Sequence, residues 1–387
     1  MKHSKDRILT THVGSLPRSA AVTEVVFARE QGRNVPPPQF ASVISAAVRE
    51  VVQRQGRAGV DVVSDGEMSK ISYATYIKER LTGFEGDSPR NPPADLEDFP
   101  EYLQRLAKGG GTPSYRRPRC VGAIAVRDLA PLRDDIDWLQ AALTGQEVEA
   151  FMNSASPGVI ALFQPDQYYA DHDTYLEALA EAMRIEYEAI VGAGLLLQID
   201  SPDLGLGGHT LFKGRSVAEY ERCARLHVEV LNHALRNCPA ERVRLHICWG
   251  NYEGPHHHDV PLEVLLPIVL QAKPQALLFE SANPRHAHEW AVVRDTPIPA
   301  DKILVPGVID TVSNFIEHPK LIAERLRRFA DIVGRERVIA GTDCGFSSFA
   351  GFGVVDKDIV YAKLTALSEG AALASEQLWG AHAKAAI

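Results

Sequence analysis

The sequence predicts a single (β/α)8 TIM barrel, one domain over residues 1–387. Three observations predict it. Short aliphatic or β-branched runs recur eight times, each closing on Gly, Asp, Pro or Ser. Amphipathic stretches with apolar residues at three- and four-residue intervals fill the gaps. Strands alternating with helices are the pattern of parallel βαβ units, and a chain of 387 residues suits one large barrel.

The eight runs are ILTTHVGS (8–15), VDVVSDGE (60–67), GVIALFQ (158–164), LLLQIDSP (195–202), RLHICWG (244–250), ALLFESAN (276–283), ILVPGVID (303–310) and VIAGTDCG (338–345). Helical patterns such as FASVISAAVREVVQRQGRAG, TYLEALAEAMRIEYEAIVGAG and VAEYERCARLHVEVLNHALRNC lie between them and would form the outer ring. One region breaks the alternation. Residues 84–118 are rich in Gly, Pro and charge, and VGAIAV follows at 121–126. The region near residues 84–126 is expected to be an excursion on the second βα connection, a lid or hairpin near the barrel mouth.

With 45% hydrophobic and 24% charged residues, the chain can bury a sizeable core. A net charge of −9 argues against a nucleic-acid partner, which would demand a clustered basic face. The start of the chain has no apolar stretch of signal-peptide length, and no run anywhere approaches the roughly 18 apolar residues of a membrane span, so the expected location is cytoplasmic, away from membranes. Five cysteines are too few and too scattered for a disulfide framework, which leaves metal binding or thiol chemistry to explain them.

Barrel enzymes draw their sites from the C-terminal ends of several strands. Here the runs end in Gly14-Ser15, Glu67, Asp200, His246 with Cys248, Glu280, Asp310 and Cys344. His246 and Cys248 are two apart on a strand, so both point to one face. With Cys344 they make a soft donor set suited to Zn2+, with one position left for an external ligand or a carboxylate. Glu280, on the adjacent strand, is the best fourth candidate.

Other polar residues have plainer readings. Cys120, Cys223 and Cys238 read as small buried hydrophobes. Glu67, Asp200 and Asp310 stand where acids also cap the next helix. His256-His257-His258 reads as a solvated loop, and His286 and His288 receive no role.

At these same positions the chain resembles the C-terminal barrel of cobalamin-independent methionine synthase. The matching pieces are TTHVGSLPR (10–18), SDGE (64–67), LQIDSPDL (197–204), HxC (246–248), FESA (279–282), PGVID (306–310) and TDCG (342–345), in the family's order. The resemblance implies that His246, Cys248, Glu280 and Cys344 hold zinc. It also implies that Gly14, Ser15, Glu67 and Asp200 bind the amino acid homocysteine. The sequence departs from the long family members in two ways. It carries one barrel rather than two, and Val312 stands where the family's proposed proton-donor His would be. In length and single-barrel plan it is similar to epoxyalkane:coenzyme M transferase, a shorter relative.

The expected chemistry is therefore thiol alkylation. A free thiol, with a pKa of roughly 8.5, is mostly protonated at neutral pH, and a metal-bound thiol is not. The expected function is zinc-dependent transfer of a methyl or alkyl group to a substrate thiol, as in homocysteine methylation. Addition of a thiol to an epoxide is the alternative. Asp310 and His12 are the strand-end candidates for protonating the leaving group. The partners expected are a small-molecule thiol and an alkyl donor, and a homo-oligomer is compatible with the sequence.

Overall fold

The apolar runs find one another through parallel pairing. A computed structural model describes residues 1–88, 92–108 and 116–380. Along the chain the strands are β1 (Leu9–Thr10), β2 (Val62–Ser64), β3 (Phe84–Glu85), β4 (Arg119–Cys120), β5 (Glu149–Ala155), β6 (Leu196–Asp200), β7 (Val243–His246), β8 (Ala276–Phe279), β9 (Ile303–Ile309) and β10 (Ile339–Thr342). The helices through the third strand of the barrel are α1 (Ala20–Glu30), α2 (Pro37–Arg57), α3 (Ile77–Arg80), α4 (Ala94–Glu97), α5 (Pro100–Lys108) and α6 (Ala130–Leu143). Then come α7 (Pro157–Phe163), α8 (His172–Gly192), α9 (Val217–Ala234), α10 (Leu262–Val269), α11 (Trp290–Asp295), α12 (Pro319–Val333) and α13 (Lys357–Trp379).

Eight strands form one sheet in the order β1-β10-β9-β8-β7-β6-β5-β2. A parallel bridge from Thr11 to Val62 joins its two ends. The result is the (β/α)8 barrel.

One strand differs from expectation. GVIALFQ is not a strand: Pro157–Phe163 is helix α7, and the third barrel strand is Glu149–Ala155. A short apolar run buried on all sides gives no period to separate helix from strand. The deciding signal is local, because the Ser156 hydroxyl accepts from Val159 N and Pro157 fills the first turn. The true strand, EAFMNSA, is less apolar because Asn153 faces the barrel's polar interior.

Strand alternation stacks the interior in layers. Val62, Phe151 and Leu196 form an apolar layer. Two residues further along, Asn153, Gln198 and Arg244 lie level with one another across β5, β6 and β7. Asp200 and His246 pair in the layer above that. Polarity therefore rises toward the C-terminal mouth. Outside the barrel the helices bury Leu, Ile and Val side chains, each worth roughly 1.5–3 kcal/mol when fully removed from water.

The excursion leaves and returns at one residue. Arg127 N donates to the Arg80 carbonyl, 2.7 Å away, while the Arg80 guanidinium reaches Glu186 at 2.9 Å and Asp135 at 2.5 Å. β3 and β4 pair antiparallel, Phe84 against Cys120, with α4 and α5 between them. Residues 89–91 and 109–115 of the excursion lie outside the described residues. Its described part folds over the loop that follows β7: Asp95 Oδ2 accepts from Tyr252 Oη (2.6 Å) and from His256 N (2.9 Å). Among the described residues no helix is long and apolar enough to cross a membrane.

Candidate metal centre and active site

Three strand-end side chains converge at the mouth. His246 closes β7, Cys248 follows two residues on, and Cys344 stands just beyond β10. Cys344 Sγ lies 3.6 Å from Cys248 Sγ and 3.6 Å from His246 Nε2. All three donor atoms lie within 4.8 Å of one another, and all three residues are buried.

These spacings fit a zinc ion. Tetrahedral bonds of roughly 2.3 Å to sulfur and 2.0–2.1 Å to nitrogen put two sulfurs about 3.8 Å apart and a sulfur about 3.6 Å from a nitrogen. Burial, and then the Arg244 cation, push His246 down to about 3. Its ring therefore stays neutral, the state in which an imidazole nitrogen ligates a metal. Gly250 N also donates to Cys248 Sγ at 3.2 Å. The adjacent Cys344 thiol and then burial hold the Cys248 thiol well above its usual range, and the Gly250 bond works the other way, toward the thiolate a metal would ligate.

Glu280 sits beside this cluster rather than in it. Its Oε1 accepts from Trp249 N at 2.9 Å and its Oε2 from Asn283 Nδ2 at 2.8 Å. Burial first, then the neighbouring Cys248, holds its carboxyl well above the usual range. As placed, it flanks the cluster, bonded to Trp249 and Asn283. Asp343 fixes the backbone on this side, accepting from Ser281 N, Ala282 N and Asn283 N at 2.8 Å each.

A second group of acids faces the same space. Glu67 is 2% exposed, in a left-handed backbone conformation (φ 58°), and its Oε2 has no hydrogen-bond partner. Arg18 approaches Oε2 only to 3.8 Å, beyond hydrogen-bond reach, and spends its donors on the Glu67 and Ser347 carbonyls. Burial pushes Glu67 up to about 8 and Asp200 up to about 6. Asp200 is held by Gln198 Nε2 (2.8 Å) and Asn153 Nδ2 (2.9 Å). A buried, strained carboxyl whose Oε2 makes no hydrogen bond, with its cation held off at 3.8 Å, is what a cationic ligand would relieve.

Gly14 and Ser15 line the turn opposite. Gly14 has φ 135°, and a Cβ on it would stand 2.2 Å from Asn153 Oδ1. Similarly, a Cβ on Gly345 would stand 1.9 Å from Ser15 Oγ, so the glycine after Cys344 is what lets the first strand's turn approach the metal centre.

The two residues expected to donate protons are placed otherwise. His12 Nε2 lies 2.7 Å from Gln55 Oε1, and its Nδ1 accepts from Gly14 N at 3.1 Å. Both ring nitrogens are occupied, and burial pushes the ring down to about 4. His12 thus holds Gly14 N and faces Gln55 with its two ring nitrogens. Asp310 Oδ1 accepts from Val312 N at 2.9 Å, capping its own turn outside the cleft lining. His286 bridges Asp259 (3.0 Å) and Glu289 (2.7 Å) beneath the site.

Sequence reasoning passed over Asn153, Gln198, Arg244, Arg18 and Asp343. Asn153 lay on the unrecognised strand, whereas Arg18 and Asp343 stood inside motifs already noted and only their partners reveal their work. Arg244, over the Phe151 ring at 4.0 Å, holds the Thr11 hydroxyl (2.9 Å) and the His12 carbonyl (2.6 Å).

A cleft of about 1750 Å³ opens over Glu67, Asp200, His246, Cys248 and Cys344. Pockets for one small molecule usually span about 300–1,000 Å³, so this one has room for two substrates. Its walls include Leu96 and Leu103 of the excursion, with Phe163, Tyr169, Phe349 and Phe352.

Residues 8–90 and 157–357 match the family model described as cobalamin-independent synthase, catalytic domain. The chain belongs to this family. The matched segments carry every strand-end residue above, while the third barrel strand falls between them. A methionine synthase from Saccharolobus solfataricus is 25% identical over 374 residues, covering 95% of this chain and 95% of its own. One from Thermococcus kodakarensis is 21% identical over 370 residues, covering 95% and 94%. The fold is shared with a B12-independent methionine synthase from a Shewanella species, solved with selenomethionine, at TM-score 0.72, 19% identity and coverage of 96% and 99%. The chain is accordingly an enzyme of the cobalamin-independent synthase family.

Proposed function

We propose that the protein is a zinc-dependent methyltransferase acting on the thiol of homocysteine. The observation that carries this reading is the joint placement, at one barrel mouth, of a His-Cys-Cys cluster and a buried carboxyl, Glu67, whose Oε2 makes no hydrogen bond. The methionine synthase relatives, aligned along 95% of the chain, support the choice of thiol.

Zinc held by His246, Cys248 and Cys344, with Glu280 at hand as a fourth donor, would supply the Lewis acidity that keeps a substrate thiol deprotonated. The chain's own residues do the rest. Glu67 and Asp200 receive the α-ammonium group, and the Gly14-Ser15 turn receives the α-carboxylate. Asn153 and Gln198 hold Asp200 so that its oxygens stay aimed inward. The apolar walls formed with the excursion exclude water from the sulfur and from the incoming alkyl donor.

A second reading, opening of an epoxide by a different thiol, is favoured by Val312 and by the aromatic character of the cleft walls. One experiment separates the two. Zinc-loaded protein is given homocysteine with methyl donors, and coenzyme M with epoxides, and thioethers are scored by mass. Methionine formation is expected. Alkylation of coenzyme M with no homocysteine-derived thioether would overturn the proposal in favour of the second reading.

A further inference from the structure

The excursion and the loop after β7 meet again on the outside of the mouth, through groups the chemistry above does not use. His257 Nε2 lies 2.8 Å and His258 Nε2 2.7 Å from the same atom, Asp98 Oδ2. One donor atom from each of the three lies within 4.8 Å of the others. We propose that Asp98, His257 and His258 form a second divalent-cation site, of zinc type, that fastens the excursion over the active-site cleft when filled.

The donor set selects the ion. Two imidazoles and a carboxylate suit zinc and its first-row neighbours, whereas calcium and magnesium prefer oxygen alone. The side chains are 38%, 44% and 51% exposed for His257, His258 and Asp98, which leaves the remaining positions open to water. Tetrahedral bonds of about 2.0–2.1 Å would put neighbouring donors about 3.4 Å apart. The observed donors need to spread by about 0.6 Å, an adjustment that half-exposed side chains make easily.

The site is held in place by half-buried neighbours. His256 Nδ1 lies 2.9 Å from Asp259 Oδ2, its Nε2 lies 3.0 Å from the Tyr252 carbonyl, and its ring stacks on Tyr252 at 4.3 Å. His256 also has φ 53°, and it and Glu67 are the two non-glycine residues with positive φ among the described residues. Strain persists only where the surroundings over-determine it, and here it turns the next two imidazoles outward toward Asp98. From the other side, the Phe99 ring meets His257 edge-on at 5.5 Å. The three donors are therefore pre-positioned although they are exposed.

The same loop joins this site to the metal centre, for Cys248 and His257 lie on one connection between β7 and α10. Asp98 lies between α4 and α5, and Leu96 and Leu103 on those helices wall the cleft. An ion bridging Asp98 to His257 and His258 would thus close one wall against the other.

The test uses the full chain. Wild type, His257→Ala/His258→Ala, Asp98→Ala and Cys344→Ser are loaded with Zn2+, passed through gel filtration and assayed for metal. Hydrogen exchange of residues 94–108 is then followed with and without added Zn2+. Wild type is expected to carry one more ion than the His257→Ala/His258→Ala and Asp98→Ala variants. Cys344→Ser is expected to keep this second ion while losing the other, so failure here and failure of the active-site reading are distinct. At free Zn2+ about ten times its Kd, opening of 94–108 should slow about ten-fold in wild type and be unchanged in the surface variants. Equal metal content in wild type and the surface variants would overturn the site. A second ion that leaves exchange unchanged would overturn its fastening role.

Discussion

Cys248 Sγ and Cys344 Sγ stand 3.6 Å apart although 96 residues separate them in the chain. Two strands, β8 and β9, lie between theirs in the sheet, and the contact exists because both thiols lie just past strand ends that face the same mouth. Replacing Cys344 with Ser should remove metal and activity together. Metal analysis should find zinc at the mouth far below one per chain, and circular dichroism should find the barrel intact, since a hydroxyl fills the thiol's place. Full retention of zinc at the mouth in Cys344→Ser would refute the metal centre.

The proton on Glu67 should govern binding of the amino-acid head. Burial raises this acid from 4.5 to about 8, so the folded protein keeps a proton that the unfolded chain gives up. The stability from that protonation is present below 4.5 and is lost as pH rises through about 8. An ammonium ligand needs the carboxylate, so its binding releases the proton. Affinity for methionine, which has the same head and no thiol, should strengthen by up to about ten-fold per unit from pH 6 to 8. Glu67→Gln should weaken binding and flatten this slope in calorimetric titrations, and an unchanged slope would remove Glu67 from the clamp.

Gly14→Ala should be costly for two separable reasons. The backbone conformation alone costs on the order of 1–3 kcal/mol for a residue with a side chain. The new methyl group would also meet Asn153 Oδ1 at 2.2 Å. Urea denaturation should show a loss beyond the backbone cost, with part of it recovered in Gly14→Ala/Asn153→Ala. If the double variant is no better than the single, the steric part of the argument fails.

His12→Ala should behave as loss of a positioning residue. Its Nδ1 holds Gly14 N, and its Nε2 faces Gln55 rather than the cleft. Homocysteine KM should rise several-fold while the pH dependence of kcat keeps its shape. A lost limb in the kcat profile would return His12 to the role of proton donor.

The barrel was legible in the sequence because strand ends announce themselves: seven of the eight apolar runs are barrel strands. The eighth was misassigned for want of periodicity, and the cost was Asn153, which touches both the Val13 carbonyl and Asp200. His246, Cys248 and Cys344 were legible as a group because residues at the ends of parallel strands must share one mouth. Glu280 was legible as a neighbour, but its hydrogen bonds to Trp249 and Asn283 were not. His257 and His258 looked like solvated loop because their partner, Asp98, lies 159 residues from His257.

By itself, then, the sequence determined the barrel and which soft side chains gather at its mouth, both of which follow from local periodicity and from the sharing of one mouth by parallel strand ends. Tertiary structure alone decided which groups have their hydrogen bonds satisfied and which do not. His12 is neutral and engaged, whereas Glu67 is buried, strained and without a hydrogen-bond partner on Oε2. Burial and hydrogen-bond satisfaction are properties of the neighbours that folding brings together, and in this chain those neighbours are dozens to hundreds of residues away.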